Sequence, residues 1–403
     1  MTWKAGLSVA VSIVFILAAP NIGLSQNPEG QSHASEVAQS HAAILIPDTS
    51  IEQPEDVGVR AHTNHQIRFE PDRGGTSPSG MSPATLRTVY SLPSSGGSGV
   101  IAIVDAYHYA TADNDLGVFS SAFGLPQCTI ANGCFKQVFA SGKQPRSNCG
   151  WNQEAALDIE WAHAMAPNAH ITLVEAASSS FADLFAAVDV ATAQVTAAGH
   201  GQVSMSWSGS EFSTESSDDS HFQHNNVVYF ASSGDTGGVN GYPSVSPFVV
   251  SAGGTSVKLN SNGTLNSETG WSGSGGGPSK YEPTPSWQSG VPNTDPNHRS
   301  APDFSFDADP NTGVSVYDST SCQGLKGWLV FGGTSVSSPS LAGIVNLAAH
   351  NSTNTTQELT LIYSNIGTGD FRDIVSGTAG SFSCKVGYDF VTGVGSDIGT
   401  SGK

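Results

Sequence analysis

The stretch from Trp328 to Pro339, Trp-Leu-Val-Phe-Gly-Gly-Thr-Ser-Val-Ser-Ser-Pro, predicts a buried strand, a tight turn and the start of a helix. Ser335 then lies beyond the carboxyl end of a strand, where the active groups of open parallel sheets collect. The free N–H groups of a helix N-terminus can also stabilise an oxyanion beside this serine. Ser335 is therefore a candidate nucleophile, although a serine here could also be only a helix cap.

Strand and helix patterns alternate upstream of this stretch. Apolar runs predict strands at 100–104, 171–174, 203–207 and 227–231, and helical patterns predict helices at 112–123, 154–165 and 181–198. Residues 253–300 are rich in Gly, Ser and Pro and are expected to form loops. The alternation predicts an α/β fold with a predominantly parallel central sheet and helices on both faces.

The charge balance argues against two classes of partner. The chain has 403 residues, with 15 Lys and Arg against 34 Asp and Glu, for a formal net charge of -19. Such a surface repels nucleic acid and anionic membranes, so we expect neither nucleic-acid binding nor stable membrane association. Few basic groups also mean limited self-repulsion when the carboxylates are protonated, which predicts tolerance of acid.

The N-terminal residues predict export. Lys4, the apolar stretch 5–19 and the small residues Gly23 and Ser25 match a signal peptide over residues 1–25. A membrane anchor is the alternative, but the stretch is shorter than the roughly 20 apolar residues that span a bilayer. Residues 26–81 lack periodicity and are expected to be a short pro-segment or linker, and residues 82–403 are expected to be the main domain.

Cysteine usage fits a secreted protein. The chain has five cysteines, and Cys128 with Cys134 is the best local pair. The odd number leaves at least one cysteine unpaired or pairing between chains, and no CxxC spacing supports zinc.

Two carboxylates are the best candidates for a base. None of the twelve histidines, among them His108, His163 and His200, has a context that suggests a partner for Ser335. Glu154 and Asp158 instead stand at i and i+4 on one helix face, where two acids can share a proton. The alternative is a pair of solvated surface acids. Glu160, on another face, is expected to be such an acid.

Asp235 is a candidate oxyanion donor. It follows the apolar run 228–231 in a glycine-rich turn, at the mouth of the predicted sheet. A protonated aspartate there could donate a hydrogen bond to an oxyanion, which would demand acid conditions. An Asx-turn aspartate is the alternative.

Together these motifs resemble those of the sedolisins, or serine-carboxyl peptidases. The run 332–339, Gly-Gly-Thr-Ser-Val-Ser-Ser-Pro, is similar to their Ser-Gly-Thr-Ser-Ala-x-x-Pro signature, with departures at Gly332 and Val336. The Glu-x-x-x-Asp helix and the Ser-Gly-Asp turn at 233–235 also match, in family order, and the likeness runs from about residue 82 to 395. The resemblance implies a subtilisin-like fold and a peptidase acting on proteins or peptides. The implied catalytic residues are Ser335 as nucleophile, Glu154 as base, Asp158 as its partner and Asp235 in the oxyanion hole.

The same resemblance implies one structural calcium ion. The stretch Arg-Asp-Ile at 372–374, followed by Gly-Tyr-Asp at 387–389, is similar to the family's calcium site. The implied ligands are carboxylates of Asp373 and Asp389 and backbone carbonyls of Ile374, Lys385 and Gly387, a hard-oxygen set suited to Ca²⁺. An ordinary pair of Asx turns is the alternative.

Members of the family commonly carry a long folded pro-domain, whereas here the space before the main domain is short, so zymogen control is expected to be reduced or the product to be partial. We expect a secreted monomer. The rival functions are an ordinary Ser-His-Asp subtilase using Asp105 and an inactive secreted binding module that keeps the fold.

Overall fold

The computed structural model describes residues 43–69 and 75–403, so the predicted signal peptide at 1–25 lies outside the described residues. The helices are α1 Pro83–Val89, α2 Ala112–Phe123, α3 Cys149–Met165, α4 Phe181–Ala197, α5 Thr334–Ala348 and α6 Thr355–Ser364. The strands are β1 Ala43–Leu45, β2 His62–Thr63, β3 Gln66–Phe69, β4 Val100–Ala106, β5 Phe135–Phe139, β6 His170–Ala176, β7 Gly201–Met205, β8 Trp207–Ser210, β9 Val227–Ser232, β10 Gly241–Tyr242, β11 Val250–Leu259, β12 Leu265–Gly270, β13 Gly277–Pro283, β14 His298–Ala301, β15 Phe304–Asp307, β16 Val314–Cys322, β17 Leu325–Gly332, β18 Phe371–Arg372, β19 Thr378–Ala379, β20 Phe382–Ser383 and β21 Ser396–Asp397.

A large, mostly parallel sheet forms the centre of the fold. Its order is β18-β21-β15-β11-β9-β7-β4-β6-β5, with β12 paired to β11. Every pair from β5 to β21 along this path is parallel, and only β12 and β18 join antiparallel. The chain builds outward from β4 in both directions, and the crevice at such a reversal, beyond the carboxyl ends of the strands, is where α/β folds bind ligands.

Helices cover both faces of this sheet. Ile101 and Ile103 of β4 pack in one buried cluster with residues of α3 and α5, whereas Ala102 and Val104 pack in a second cluster with residues of α4. Successive residues of a strand point to opposite faces, so the two clusters lie on opposite sides of the sheet. The prediction of an α/β fold with helices on both faces is confirmed.

The segment predicted as a pro-segment or linker contributes strands where it is described. β3 pairs with β17 in the antiparallel sheet β1-β3-β17-β16, and β2 pairs with β8 in the sheet β10-β8-β2. Residues 43–69 therefore pack on the domain that starts near residue 82. Whether they form a pro-segment stays a prediction.

The loop prediction for residues 253–300 is wrong over much of its length. β11 continues to Leu259, and β12, β13 and β14 also lie in this region. Its glycines partly serve close packing: a Cβ at Gly254 would lie 2.8 Å from the Trp271 ring and 2.9 Å from the Ala308 Cβ. Glycine in a strand can mark such an approach rather than a turn.

Two disulfides cross-link the domain. The predicted pair Cys128–Cys134 is confirmed, and a second bridge joins Cys149 at the start of α3 to Cys322 at the end of β16. Cys384 is buried and unpaired, as the odd count required of one cysteine. Within residues 43–69 and 75–403, no helix is long and apolar enough to cross a bilayer.

Candidate active site

Four predicted catalytic residues come from three elements that meet beyond the carboxyl ends of the central strands. Ser335 lies in the first turn of α5, Glu154 and Asp158 lie on α3, and Asp235 follows β9. The helices α3 and α5 pack against each other on one face of the sheet. The side chains of Ser335, Glu154 and Asp158 are fully buried, which excludes the reading of the two acids as solvated surface groups.

Ser335 presents its N–H to a peptide carbonyl. The N–H donates to the carbonyl oxygen of Asn64 at 3.0 Å, and the hydroxyl donates to the carbonyl oxygen of Ser206 at 3.2 Å. Pro339 has no N–H to return to the carbonyl of Ser335, and that carbonyl accepts from the Ser206 hydroxyl at 3.3 Å instead. The start of α5 therefore offers a backbone donor where an oxyanion would form.

Asp235 lies at the same point. A Cβ on Gly333, whose φ is +95°, would lie 2.2 Å from the Asn64 carbonyl oxygen and 2.5 Å from the Asp235 Oδ2, so both oxygens crowd the backbone of this glycine. Asp235 Oδ1 accepts from the N–H and hydroxyl of Thr334 at 2.8 and 2.9 Å. Oδ2 is buried and has no hydrogen-bond partner among the described residues. An oxyanion bound here could accept a hydrogen bond from Oδ2 when Asp235 is protonated.

Burial sets the protonation of Asp235. It raises the pKa of this carboxyl to about 8, helped by the nearby Glu154 charge and opposed by the two hydrogen bonds from Thr334. The group is therefore neutral in acid and can donate through Oδ2. This is the property that its predicted role requires.

The base candidates form a buried carboxyl cluster with Asp105. Burial is the main cause that raises the pKa of Asp158, followed by Asp105 and Glu154, while the Ser206 hydroxyl lowers it. Burial also raises the pKa of Asp105 at the end of β4, with Glu154 and Glu175 adding to the shift. Ionised carboxylates only accept hydrogen bonds, so close neighbours of this kind must hold protons between them.

Sequence reasoning missed three residues of this site. The His65 Nδ1 lies 2.9 Å from Glu154 Oε2, and its ring stacks on Phe331 with centroids 5.3 Å apart. Asn64 and Ser206 contact Ser335 as described above. Ser206 follows β7, and its position at a strand end was a usable signal, whereas the polar stretch Thr-Asn-His-Gln at 63–66 offered none.

The structure does not support the Ser-His-Asp alternative. That arrangement needs a histidine hydrogen-bonded to Asp105. Neither carboxylate oxygen of Asp105 has a hydrogen-bond partner in the described part of the chain. His108 bonds Glu175, and His163 bonds the carbonyl of Pro126.

The expectation that Glu160 is a solvated acid is wrong. Its side chain is fully buried, and Oε2 accepts from the N–H of Tyr317 at 3.0 Å. The reason is that α3 is enclosed on every side, by the sheet, α5 and β16, so no face of it meets solvent. Burial raises the pKa of Glu160 well above its ordinary value, and the hydrogen bond from the Tyr317 N–H opposes this shift.

Four of the five predicted calcium ligands lie around one loop. Asp373 accepts from the N–H of Gly387 at 3.1 and 3.2 Å, and Asp389 Oδ2 accepts from the N–H of Lys385 at 3.2 Å. Ile374 is buried beside Asp373. Asp389 Oδ1 also accepts from the N–H groups of Val391 and Thr392 at 2.9 Å and from the Thr392 hydroxyl at 3.3 Å, so the roughly four acceptor sites of this carboxylate are already engaged. Oxygen donors of this kind suit a hard cation, and the Asp389 carboxylate would have to exchange some of these hydrogen bonds to bind one.

Known peptidases are similar to this chain in sequence. No protein-family model matches it. Sedolisin of Pseudomonas sp. (strain 101) is 35% identical over 205 residues, covering 47% of this chain and 33% of that protein. Kumamolisin of Bacillus sp. (strain MN-32) is 27% identical over 375 residues, covering 82% of this chain and 64% of that protein. The chain thus spans less than two thirds of the length of either relative.

Solved structures agree on the fold. Pseudomonas sedolisin, a serine-carboxyl proteinase complexed with two molecules of pseudo-iodotyrostatin, matches 80% of this chain and 96% of its own, with a TM-score of 0.68 and 25% identity. Sphericase matches 81% of this chain and 99% of its own, with a TM-score of 0.51 and 20% identity. The fold is subtilisin-like, as predicted.

Proposed function

We propose that this chain, which is similar to sedolisin and kumamolisin, is a peptidase of the sedolisin family that hydrolyses peptide bonds in acid through an acyl-enzyme on Ser335. One observation carries the proposal. The Ser335 N–H and the unpartnered Asp235 Oδ2 converge on the space above Gly333, where a peptide carbonyl oxygen lies. Two donors aimed at one carbonyl oxygen are what the tetrahedral intermediate of acyl transfer requires.

Glu154 is the proposed base. It removes the Ser335 hydroxyl proton as the oxygen attacks the carbonyl carbon, and it returns that proton to the leaving amine. Asp158 lies one helical turn away on the same face of α3 and orients Glu154. Burial, with Asp105 and Glu154 nearby, raises the pKa of Asp158, so a protonated Asp158 can share its proton with the neighbouring carboxylate.

The proposed working range is acidic. Asp235 must be protonated to donate, and its pKa of about 8 favours that form throughout the acid range. The raised pKa values of Asp105 and Asp158 likewise keep this cluster from carrying full charge. As the pH rises, these buried carboxyl groups ionise close to one another. Their repulsion destabilises both the oxyanion and the folded state.

Export, substrates and oligomeric state are part of the proposal. We propose secretion on the signal-like residues 1–25 and on the two disulfides, which persist in oxidising compartments. Proteins or peptides are the proposed substrates, and the protein is proposed to act as a monomer.

We also propose one structural calcium ion held by Asp373, Asp389 and the carbonyls of Ile374, Lys385 and Gly387. The Lys385 side chain is exposed, so its ammonium can stay in solvent while its carbonyl faces the site. A bound ion would stabilise the folded chain by mass action. Calorimetry with calcium and with chelator tests this proposal. We expect a lower melting temperature in chelator, and an unchanged melting temperature would show that the protein holds no structural calcium ion.

Digestion of a denatured protein at pH 4 tests the peptidase. We expect peptides from the parent and none from Ser335→Ala, whereas Ser337→Ala, a buried serine on the same helix, should retain activity. If the parent releases no peptides, the inactive binding module is the better description. If Ser335→Ala digests as fast as the parent, the acyl-enzyme is wrong.

A further inference from the structure

We propose that Glu175 is a positioning residue for the reaction, which keeps a proton on Asp105 and so directs the negative charge of the buried carboxyl cluster to the base Glu154. This rests on the proposed peptidase function. Glu175 lies near the carboxyl end of β6 and belongs to none of the motifs that carry Ser335 and its partners. It acts on the reaction only through the charge that it places beside Asp105.

Glu175 and Asp105 are neighbours on one face of the central sheet. They are register partners in the parallel strands β6 and β4, and neighbouring strands lie about 4.8 Å apart. The residues two and four positions before each of them, at 101, 103, 171 and 173, belong to the buried cluster that includes residues of α3. Because alternate residues of a strand share a face, both carboxyl groups lie on the side of the sheet that α3 covers.

Three donor groups surround the carboxyl group of Glu175, whose side chain is buried. Its Oε1 accepts from the Tyr109 N–H at 2.9 Å and from the Gln137 side-chain amide at 2.6 Å. Its Oε2 lies 2.9 Å from Nδ1 of His108, and the His108 ring packs edge-on against Phe139 with centroids 5.4 Å apart. Hydrogen bonds donated to a carboxylate favour its charged form. Glu175 is therefore suited to be a fixed anion inside the protein.

Asp105 has the opposite surroundings. It is just as buried, but neither of its carboxyl oxygens has a hydrogen-bond partner in the described part of the chain. Burial is the main cause that raises the pKa of Asp105, and the charges of Glu154 and Glu175 raise it further. Two neighbouring carboxyl groups in such different surroundings take different roles, in which Glu175 carries the charge and Asp105 the proton.

The titratable groups around Asp105 come from three parts of the fold. Glu154 and Asp158 face it from α3, Glu175 faces it from β6, and His108 contacts Glu175 from the segment that follows β4. A negative charge on Asp105 would disfavour a negative charge on either acid of α3, because like charges in one buried space repel. A proton kept on Asp105 therefore leaves Glu154 able to carry the charge that a base requires.

The pH dependence of kcat/KM tests this inference in Glu175→Gln, which keeps the shape of the side chain and removes its charge. Asp105 then loses its proton at lower pH, so we expect the alkaline decline of kcat/KM to begin at least about half a pH unit lower than in the parent. Glu358→Gln, which removes another buried glutamate on α6, is the matched control and should keep the parental profile. A rate that falls equally at every pH would indicate a merely structural role for Glu175 and overturn the inference.

A double substitution shows whether the effect passes through Asp105. In Asp105→Asn this position is neutral at every pH. Adding Glu175→Gln to that variant should move the alkaline decline by less than half of the shift seen in the parental background, because the two residues act as a coupled pair. An equal shift in both backgrounds would show that Glu175 acts on another group, which contradicts the inference.

Carbon-13 NMR of the parent adds a measurement that depends on no variant and no substrate. The carboxyl signal of Asp105 in aspartate-labelled protein reports its protonation, and we expect this group to be protonated at pH 5. An Asp105 that is already ionised at pH 5 overturns the inference even if Glu175→Gln fails to fold. A parent that digests protein while Glu175→Gln keeps its pH profile overturns this inference alone. A parent that digests nothing overturns the proposed function, and the role of Glu175 with it.

Discussion

Replacing Asp235 by asparagine and by alanine separates hydrogen-bond donation from charge. Asparagine can keep the two contacts from Thr334 with its Oδ1 and place an N–H donor where Oδ2 now lies. The pKa of Asp235 is raised to about 8, so at pH 5 the neutral carboxyl outnumbers the carboxylate by about a thousandfold. The amide therefore imitates the form that predominates in acid.

The expected rates follow from that substitution. We expect kcat/KM of Asp235→Asn at pH 5 to stay within about tenfold of the parent, and that of Asp235→Ala to fall by about 10²–10³, or about 2.7–4 kcal/mol. Initial rates on an internally quenched peptide measure both, with Thr236→Ala, an exposed neighbour, as the control. An alanine variant within about threefold of the parent, or an asparagine variant as slow as alanine, would refute the donor role.

Three further changes probe the site and its surroundings. Glu154→Gln removes the base and should lower kcat/KM by at least about 10² at pH 4 without unfolding the protein; parental kinetics would exclude Glu154 as base. Gly333→Ala places a Cβ 2.2 Å from the Asn64 carbonyl oxygen at a φ of +95°, so the free energy of unfolding should drop by about 1–3 kcal/mol from strain alone, and an unchanged denaturant midpoint would contradict this. Burial raises the pKa of Glu215 to about 9, so the folded chain keeps a proton that the unfolded chain releases, and the contribution of Glu215 to stability falls by up to about 1.4 kcal/mol per pH unit between roughly pH 4.5 and 9. Denaturant titrations across this pH range should show a weaker pH dependence of stability in Glu215→Gln than in the parent. Equal pH dependence in the two proteins would contradict the raised pKa of Glu215.

Much of the catalytic set was predictable because its signals are local. A strand, a glycine pair and a serine occur within twelve residues around Ser335, and Glu154 and Asp158 are one helical turn apart. The strand and helix alternation likewise depends on short windows, and it placed β4, β6, β9 and α4 within a few residues of their observed bounds.

The contacts that residues 62–66 make at the active site could not be predicted, because they join residues that are far apart in the sequence. Asn64 contacts Ser208 and Ser232 across 144 and 168 positions of the chain, and β2 has only two residues. A strand this short leaves no periodic pattern, and its pairing is decided by a distant sheet edge. The prediction that Glu160 is solvated was wrong for another reason. Apolar residues lie on every side of α3 and indicated full burial, but the acidic residues beside them obscured that signal.

The pH dependence of kcat/KM for the parent on a peptide substrate tests the central claim most directly. Carboxyl groups acting as base and oxyanion donor predict a maximum below about pH 5, with a decline as the pH approaches neutrality. A maximum near neutral pH would contradict the carboxyl mechanism and favour histidine as the base of Ser335.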